Sequence, residues 1–325
     1  MERILVTGGA GFIGSHLAEA YLNKGHDVYV IDDLSTGSKE NIRHLEEHPH
    51  YQGRFHATFD SVLNYDVFLE LVGTCDIIFH LAAAVGVQYI LDNPLSSLIN
   101  NIRGAEIALE LCSKFRKKII ITSSSEVYGK HANAPLEETA DCVYGSSDKF
   151  RWSYAATKLI DEILALAYFR KKGLHAVVVR LFNTVGPRQT GQYGMVIPRF
   201  VKQALRNEPI TVYGDGSQTR TFTHVNDVVE AFMRLAQVPE AAGQVINIGG
   251  TLEISMLDLA GRIKELTGSS SEIRIIPYDQ AYPQDFEDMQ RRVPSTEKLK
   301  RLVGHVPETG LDAILHDVIG YLKYR

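Results

Sequence analysis

Residues 3–14 read Arg3-Ile4-Leu5-Val6-Thr7-Gly8-Gly9-Ala10-Gly11-Phe12-Ile13-Gly14. A short apolar run ends in glycines at 8, 11 and 14, and apolar positions then recur at helical spacing through Ile13, Leu17, Ala20 and Tyr21. The pattern is strand, tight turn, helix. Gly8 permits the turn, Gly11 lets the backbone approach a pyrophosphate at the positive end of the helix, and Gly14 lets helix and strand pack closely. A second strand pattern over 27–31 runs into Asp32, 24 residues after Gly8. A carboxylate there bonds the adenosine ribose hydroxyls and repels a 2′-phosphate, so the stretch predicts a dinucleotide site that prefers NAD to NADP.

The same rhythm continues. Continuous apolar runs at 75–81, 118–123 and 176–181 alternate with helical patterns at 101–112 and 154–170. Long helices between strands that are apolar throughout predict an α/β fold, a doubly wound parallel (Rossmann) sheet covered on both faces, over residues 1–180. After Phe182 the chain loosens into Gly/Pro-rich segments at 186–187 and 191–194. Helical patterns come next at 197–206, 226–236, 256–266 and 311–322, with strand patterns at 210–213 and 244–248. Residues 225–250 are expected to return to the first domain. Residues 181–224 and 251–325 are expected to build a smaller mixed α/β substrate domain, and 278–295 reads as an irregular functional loop.

Composition narrows the function classes. With 325 residues, 45% of them hydrophobic, the chain has ample material for a core and needs no metal or disulfide staple. A net charge of -5 leaves no electrostatic footprint for nucleic acid, and the basic stretch 114–118 reads as a solvated helix end. Cys75, Cys112 and Cys142 are odd in number and in no paired spacing, which suits reduced thiols in the cytoplasm. The first ten residues show no leader pattern. The longest apolar stretch, 77–91, is interrupted by His80 and Gln88 and falls short of the ~20 residues of a membrane span. His44, His48 and His50 have metal-like spacing, but their polar surroundings favour a solvated helix and no metal.

Tyr154 and Lys158 stand four apart on one face of a predicted helix. A lysine ammonium there, with a bound nicotinamide cation, would stabilise the phenolate and make Tyr154 a general base. About 30 residues earlier, Thr122-Ser123-Ser124-Ser125-Glu126-Val127-Tyr128-Gly129 succeeds a buried strand, at the sheet edge where such folds bind ligands. The order of these motifs, together with Asp60, Leu81-Ala82-Ala83, Asn101, Arg180-Leu181-Phe182-Asn183-Thr184-Val185-Gly186-Pro187-Arg188 and Val212-Tyr213-Gly214-Asp215-Gly216-Ser217-Gln218-Thr219-Arg220, resembles the extended short-chain dehydrogenase/reductase family. The likeness is to its NAD-dependent nucleotide-sugar epimerases, dehydratases and decarboxylases, and it runs from Ile4 to about Ser295.

The resemblance implies that Ser124 holds the sugar O4 while Tyr154 takes its proton and NAD takes the C4 hydride. Lys158 would hold the nicotinamide ribose. Gly8, Gly11, Phe12, Ile13, Gly14, Asp32, Asp60, Leu81, Ala82, Ala83 and Asn101 would line the cofactor. Asn183, Val212, Tyr213, Arg220 and Arg292 would bind the nucleotide-sugar, with Asn183 and the two arginines on its pyrophosphate. The step after the oxidation divides the family into epimerases, 4,6-dehydratases and decarboxylases of C6 carboxylates. The Ser125-Glu126 pair resembles the UDP-glucuronate decarboxylases and also some GDP-mannose 4,6-dehydratases, and Arg151-Trp152-Ser153 before the tyrosine is similar to the decarboxylases. There Glu126, or a water that it holds, would supply the C5 proton, Ser125 would orient the carboxylate and Arg188 would neutralise it. A UDP-sugar 4-epimerase, a 4,6-dehydratase and a non-catalytic NAD-binding sensor are the alternatives. The family also implies a homodimer formed through the helices at 101–112 and 160–169.

Overall fold

The computed structural model describes residues 1–85, 93–131, 133–190, 195–281 and 289–324. The turn at 191–194, the end of the 77–91 stretch and the middle of the 278–295 stretch lie outside the described residues.

The strands are β1 (Arg3–Thr7), β2 (Asp27–Ile31), β3 (Phe55–Thr58), β4 (Ile77–His80), β5 (Lys118–Ser124), β6 (Ala176–Leu181) and β7 (Thr184–Val185). Beyond them come β8 (Ile210–Tyr213), β9 (Thr219–Thr221), β10 (Thr223–His224), β11 (Val245–Ile248), β12 (Glu253–Ser255), β13 (Ile273–Ile276) and β14 (Arg291–Arg292). Helices of ten or more residues are α1 (Phe12–Asn23), α2 (Tyr65–Thr74), α3 (Pro94–Phe115), α4 (Ser153–Lys172), α5 (Val196–Leu205), α6 (Val225–Leu235), α7 (Met256–Thr267) and α8 (Leu311–Lys323). The main sheet is parallel, in the order β11-β6-β5-β4-β1-β2-β3. Ile4, Leu5 and Val6 are all fully buried, as a strand covered on both faces requires. Ile4 and Val6 pack with Leu17 and Tyr21 of α1 and with Val228 and Phe232 of α6. Leu5 faces the other way, into a core with Phe68 of α2, Leu109 of α3 and Ala165 of α4.

The chain winds outward in one direction through β1, β2 and β3, then crosses back to β4 on the other side of β1. That reversal opens a crevice at the carboxyl ends of β1 and β4, the place where open α/β sheets take their ligands. Leu299, in the stretch expected to belong to the substrate domain, packs in the same core as Ile4 and Val6.

A second core lies between α5, α7 and α8, around β8 and its parallel partner β13. Strand alternation places Ile210 and Val212 inward, with Thr211 and Tyr213 on the other face. Val212 is therefore a core residue, fully buried and off the wall of the ligand cleft, while its neighbour Tyr213 lines that cleft. This corrects the expectation that both bind substrate. Helix α3 starts at Pro94, earlier than its periodicity indicates, because proline suits the first helical turn where its missing N–H costs nothing. The sequence pattern also misses β3, an edge strand whose His56 and Thr58 interrupt the apolar run.

Candidate active site

A cleft of about 570 Å³ runs from Asp32 at one end to Arg292 at the other, walled by the crevice on one side and the second domain on the other. The first turn of α1 forms its floor. Gly11 occupies the N-cap in an extended conformation with no side-chain cap, and the first turn carries no acidic residue, so the backbone N–H groups there face an anion site. A Cβ on Gly14 would lie 2.2 Å from the Gly8 carbonyl, which explains why that position excludes side chains. Phe12 and Ile13 also line the cleft.

Asp32 is buried at the end of β2, and its carboxylate accepts the Ala10 and Leu34 N–H groups at 2.9 and 2.8 Å. The carboxylate thus ties the glycine turn to β2 and retains lone pairs for ribose hydroxyls. Asp32→Ala is expected to erase most of the preference for NAD over NADP, measured by titrating both into stripped protein. An unchanged ratio of dissociation constants would refute the assignment.

Asp60, Leu81, Ala82, Ala83 and Asn101 all line the same half of the cleft. Asn101 works indirectly: its Oδ1 accepts the Ala84 N–H at 2.7 Å and its Nδ2 donates to the Ala84 carbonyl at 3.2 Å, which locks the loop after β4. Thr7 does the same from β1, its hydroxyl accepting the Leu81 and Ala82 N–H groups at 3.1 and 3.0 Å. No sequence signal marks Thr7, because a threonine ending a strand looks ordinary without its partners.

The reacting end is built where β5 stops. Ser124 caps the 3₁₀ turn Ser125–Tyr128, its Oγ accepting the Glu126 N–H at 3.2 Å, and it lies close enough to the Tyr154 phenol to act on its proton affinity. Tyr154 and Lys158 project from the first turns of α4 into the cleft. The expected lowering of the Tyr154 pKa is not what the ligand-free protein shows. Burial first, then the Glu126 and Asp161 carboxylates, hold the phenol well above its ordinary value of 10, with the Ser124 hydroxyl acting the other way. Stabilising the phenolate thus falls to positive charge brought near it, which the Lys158 ammonium and a bound nicotinamide cation would supply.

Glu126 sits between two arginines. Its Oε2 lies 2.6 Å from Arg151 Nη1 and its Oε1 lies 2.8 Å from Arg292 Nη1, all three side chains being nearly buried. Burial pushes this carboxyl up, but the Arg151 and Arg292 charges outweigh burial and hold it far below the usual carboxylate range. This favours the carboxylate form of Glu126, so of the two expected proton sources at C5 a water held by Glu126, and not its own carboxyl, matches the direction of the shift. Arg220 adds a third positive charge, because the parallel register of β14 on β9 sets Arg292 directly beside it. Arg292, expected on the pyrophosphate, is here a partner of Glu126.

Arg188 also lines the cleft, but its guanidinium is engaged by Glu19 and Ser15 of α1 and meets His44, which ties it to the cofactor helix and not to Glu126. Asn183 lines the cleft, with its Nδ2 donating to the Thr221 carbonyl at 2.8 Å. Ser125 is buried beneath the turn and also reaches the cleft wall.

A charged layer beneath the site has no counterpart in the sequence pattern. Ser123 donates to Glu162 at 2.5 Å, and Arg180 grips the same carboxylate through Nε and Nη2 at 2.9 and 2.7 Å. Glu162 thus ties the end of β5, through Ser123, and β6, through the bidentate Arg180, to α4, which carries Tyr154. Among the described residues no group of three or more metal-ligating side chains converges, and His44, His48 and His50 form none.

The family described as GDP-mannose 4,6 dehydratase matches residues 5–318. The chain belongs to that family. It falls within the extended short-chain dehydrogenase/reductases and is an NAD-dependent enzyme that modifies nucleotide-sugars. A UDP-N-acetyl-alpha-D-glucosaminuronate decarboxylase from Bacillus cytotoxicus is 39% identical over 99% of this chain and 98% of its own. UDP-glucuronic acid decarboxylase 1 from Xenopus tropicalis is 34% identical over 99% of this chain and 72% of its own. Among solved structures, the UDP-glucuronic acid 4-epimerase from Bacillus cereus, in complex with UDP-glucuronic acid and NAD, superposes with a TM-score of 0.88. It is 30% identical and covers 99% of each chain. The open N-terminus of α1, the glycine cradle and the Asp32 carboxylate in this family member fit NAD, which when bound supplies a hydride acceptor and a positive charge beside Tyr154.

Proposed function

We propose that this enzyme oxidises C4 of a UDP-hexuronate, with UDP-glucuronate as the expected substrate, and then releases the C6 carboxylate as carbon dioxide. The observation that carries the reading is the Arg151–Glu126–Arg292 cluster, set against Ser124 and Tyr154. Ser124 orients O4 and Tyr154 accepts its proton as the C4 hydride departs. The product is a β-keto acid, whose carbon–carbon bond to the carboxylate breaks readily because the electron pair is delocalised onto O4 as an enolate. Tyr154 and Ser124 then stand beside the developing oxyanion as donors, and a water held at the Glu126 carboxylate returns a proton to C5, which leaves the 4-keto pentose.

The charge balance of the cluster suits an anionic sugar. Arg151, Arg220 and Arg292 all act on the Glu126 carboxylate, which gathers three cations where a pyrophosphate and a uronate would need them. A neutral hexose has no carboxylate for such a cluster to meet, and a 4-epimerase that merely rotates its ketone needs no carboxylate at position 126. Ser124, Ser125, Glu126, Tyr154 and Lys158 are thus assigned to the reaction, and Asn183, Tyr213, Arg220 and Arg292 to substrate. The test is incubation of NAD-loaded enzyme with UDP-glucuronate, its N-acetylated amino-sugar counterpart and UDP-glucose, with product masses read out. Loss of carbon dioxide from a uronate is expected. Mass-neutral conversion to the C4 epimer would transfer the assignment to the epimerases.

The working unit is assigned as a cytoplasmic homodimer. Leu95 and Ile99 on α3 and Ile163 on α4 are exposed by 70%, 48% and 56%, on two helices that pack together. No helix of the described residues is long and apolar enough to cross a membrane. Ile163→Glu should shift the species seen by light scattering from dimer to monomer. A wild-type chain that elutes as a monomer would refute the assembly.

A further inference from the structure

Lys158 does not act on Tyr154 as an isolated charge. Its Nζ lies 3.2 Å from Asp161 Oδ2, and the two side chains are 3% and 1% exposed. Asp161 Oδ1 has no hydrogen-bond partner among the described residues, so the lysine is the main compensation for a carboxylate taken out of water. Tyr154, Lys158 and Asp161 stand at i, i+4 and i+7, which places all three on one face of α4. Helical spacing therefore sets the phenol on the same face of α4 as a paired ammonium and carboxylate, a dipole in place of a point charge.

We propose that Asp161 is a positioning residue that holds the Lys158 ammonium and limits how far its charge lowers the proton affinity of Tyr154. The inference rests on Tyr154 as the base. The other charged groups around the trio are Glu126, paired with Arg151 and Arg292 on the 3₁₀ turn side, and Glu162, which is neutralised by Arg180 of β6. His80 of β4 is also near Lys158, and burial lowers its pKa to about 3, so it is uncharged there. Among the described residues Asp161 is thus the carboxylate paired with the lysine.

The sign of the effect is fixed by this arrangement. Removing the Asp161 charge leaves the full ammonium acting on Tyr154, which favours phenolate and moves the acid-side inflection of C4 oxidation to lower pH. The experiment monitors substrate-dependent NADH formation in a single turnover against pH, using NAD-loaded wild type, Asp161→Asn, Asp161→Ser and Asp161→Glu. The two neutral variants should shift the inflection down by about one unit, oxidising about tenfold faster than wild type on the acid limb, while Asp161→Glu keeps the wild-type inflection. Should one neutral variant fail to fold, the other decides. An unmoved inflection with a uniformly lower rate, or an upward shift, would overturn the proposal. Tyr154→Phe run alongside separates the two ideas: if it retains the inflection, the base assignment fails and not merely the role of Asp161.

Discussion

Tyr154→Phe should slow substrate-dependent NADH formation by on the order of 10²–10⁴-fold, the usual worth of a positioned general base. The variant removes one oxygen and leaves the ring, so α4 and its packing against β5 are retained. Nucleotide-sugar affinity should stay within a few fold of wild type, because Arg220 and Arg292, the cations proposed to hold the charged part of the substrate, lie on β9 and β14 and not on α4. Stopped-flow absorbance and equilibrium titration measure the two quantities separately. Turnover at the wild-type rate would show that another group takes the O4 proton.

For Glu126→Gln the expected result is a change in which step limits the reaction: oxidation is retained to within about tenfold, while carbon dioxide release falls by on the order of 10²-fold and the 4-keto uronate accumulates. The reason is electrostatic. With Glu126 ionised, Arg151 and Arg292 are already partnered, so they attract a uronate without pinning it. Once that charge is gone, both guanidinium groups turn to the substrate carboxylate and stabilise it in the ground state, which opposes the dispersal of its charge. Mass spectrometry of the quenched reaction distinguishes keto acid from pentose product, and unchanged product partition would remove Glu126 from this step. The same substitution should cost about 3–5 kcal/mol of stability, since it leaves two nearly buried cations short of an anion. The cluster also carries a pH signature. A carboxyl whose folded pKa is depressed contributes stability above its unfolded value of about 4.3 and loses it as pH falls. In Glu126→Gln that acid-side loss should be absent from a denaturant midpoint measured against pH.

The cofactor half of the molecule is legible from local sequence. The Gly8–Gly14 turn, Asp32 at the end of β2 and the Tyr154/Lys158 spacing are statements about backbone geometry and helix periodicity within one strand, one turn or one helix, and local chain rules suffice for them. The alternation of apolar strands and long helices likewise allows few arrangements, because parallel strands need crossovers and both faces must be covered. The chemistry at the sugar end is settled by long-range packing instead. Glu126 meets Arg151 and Arg292 across 25 and 166 residues of chain, and the second contact depends on the register of β14 against β9. Val212 and Tyr213 are adjacent in sequence yet lie on opposite faces of β8, a choice made by the core that the strand joins. Arg188 goes to α1, and Asp161 goes to Lys158. A charged side chain takes whichever opposite charge the fold buries beside it, and the cost of burying an unpaired ion makes that choice depend on distant residues that no local pattern encodes.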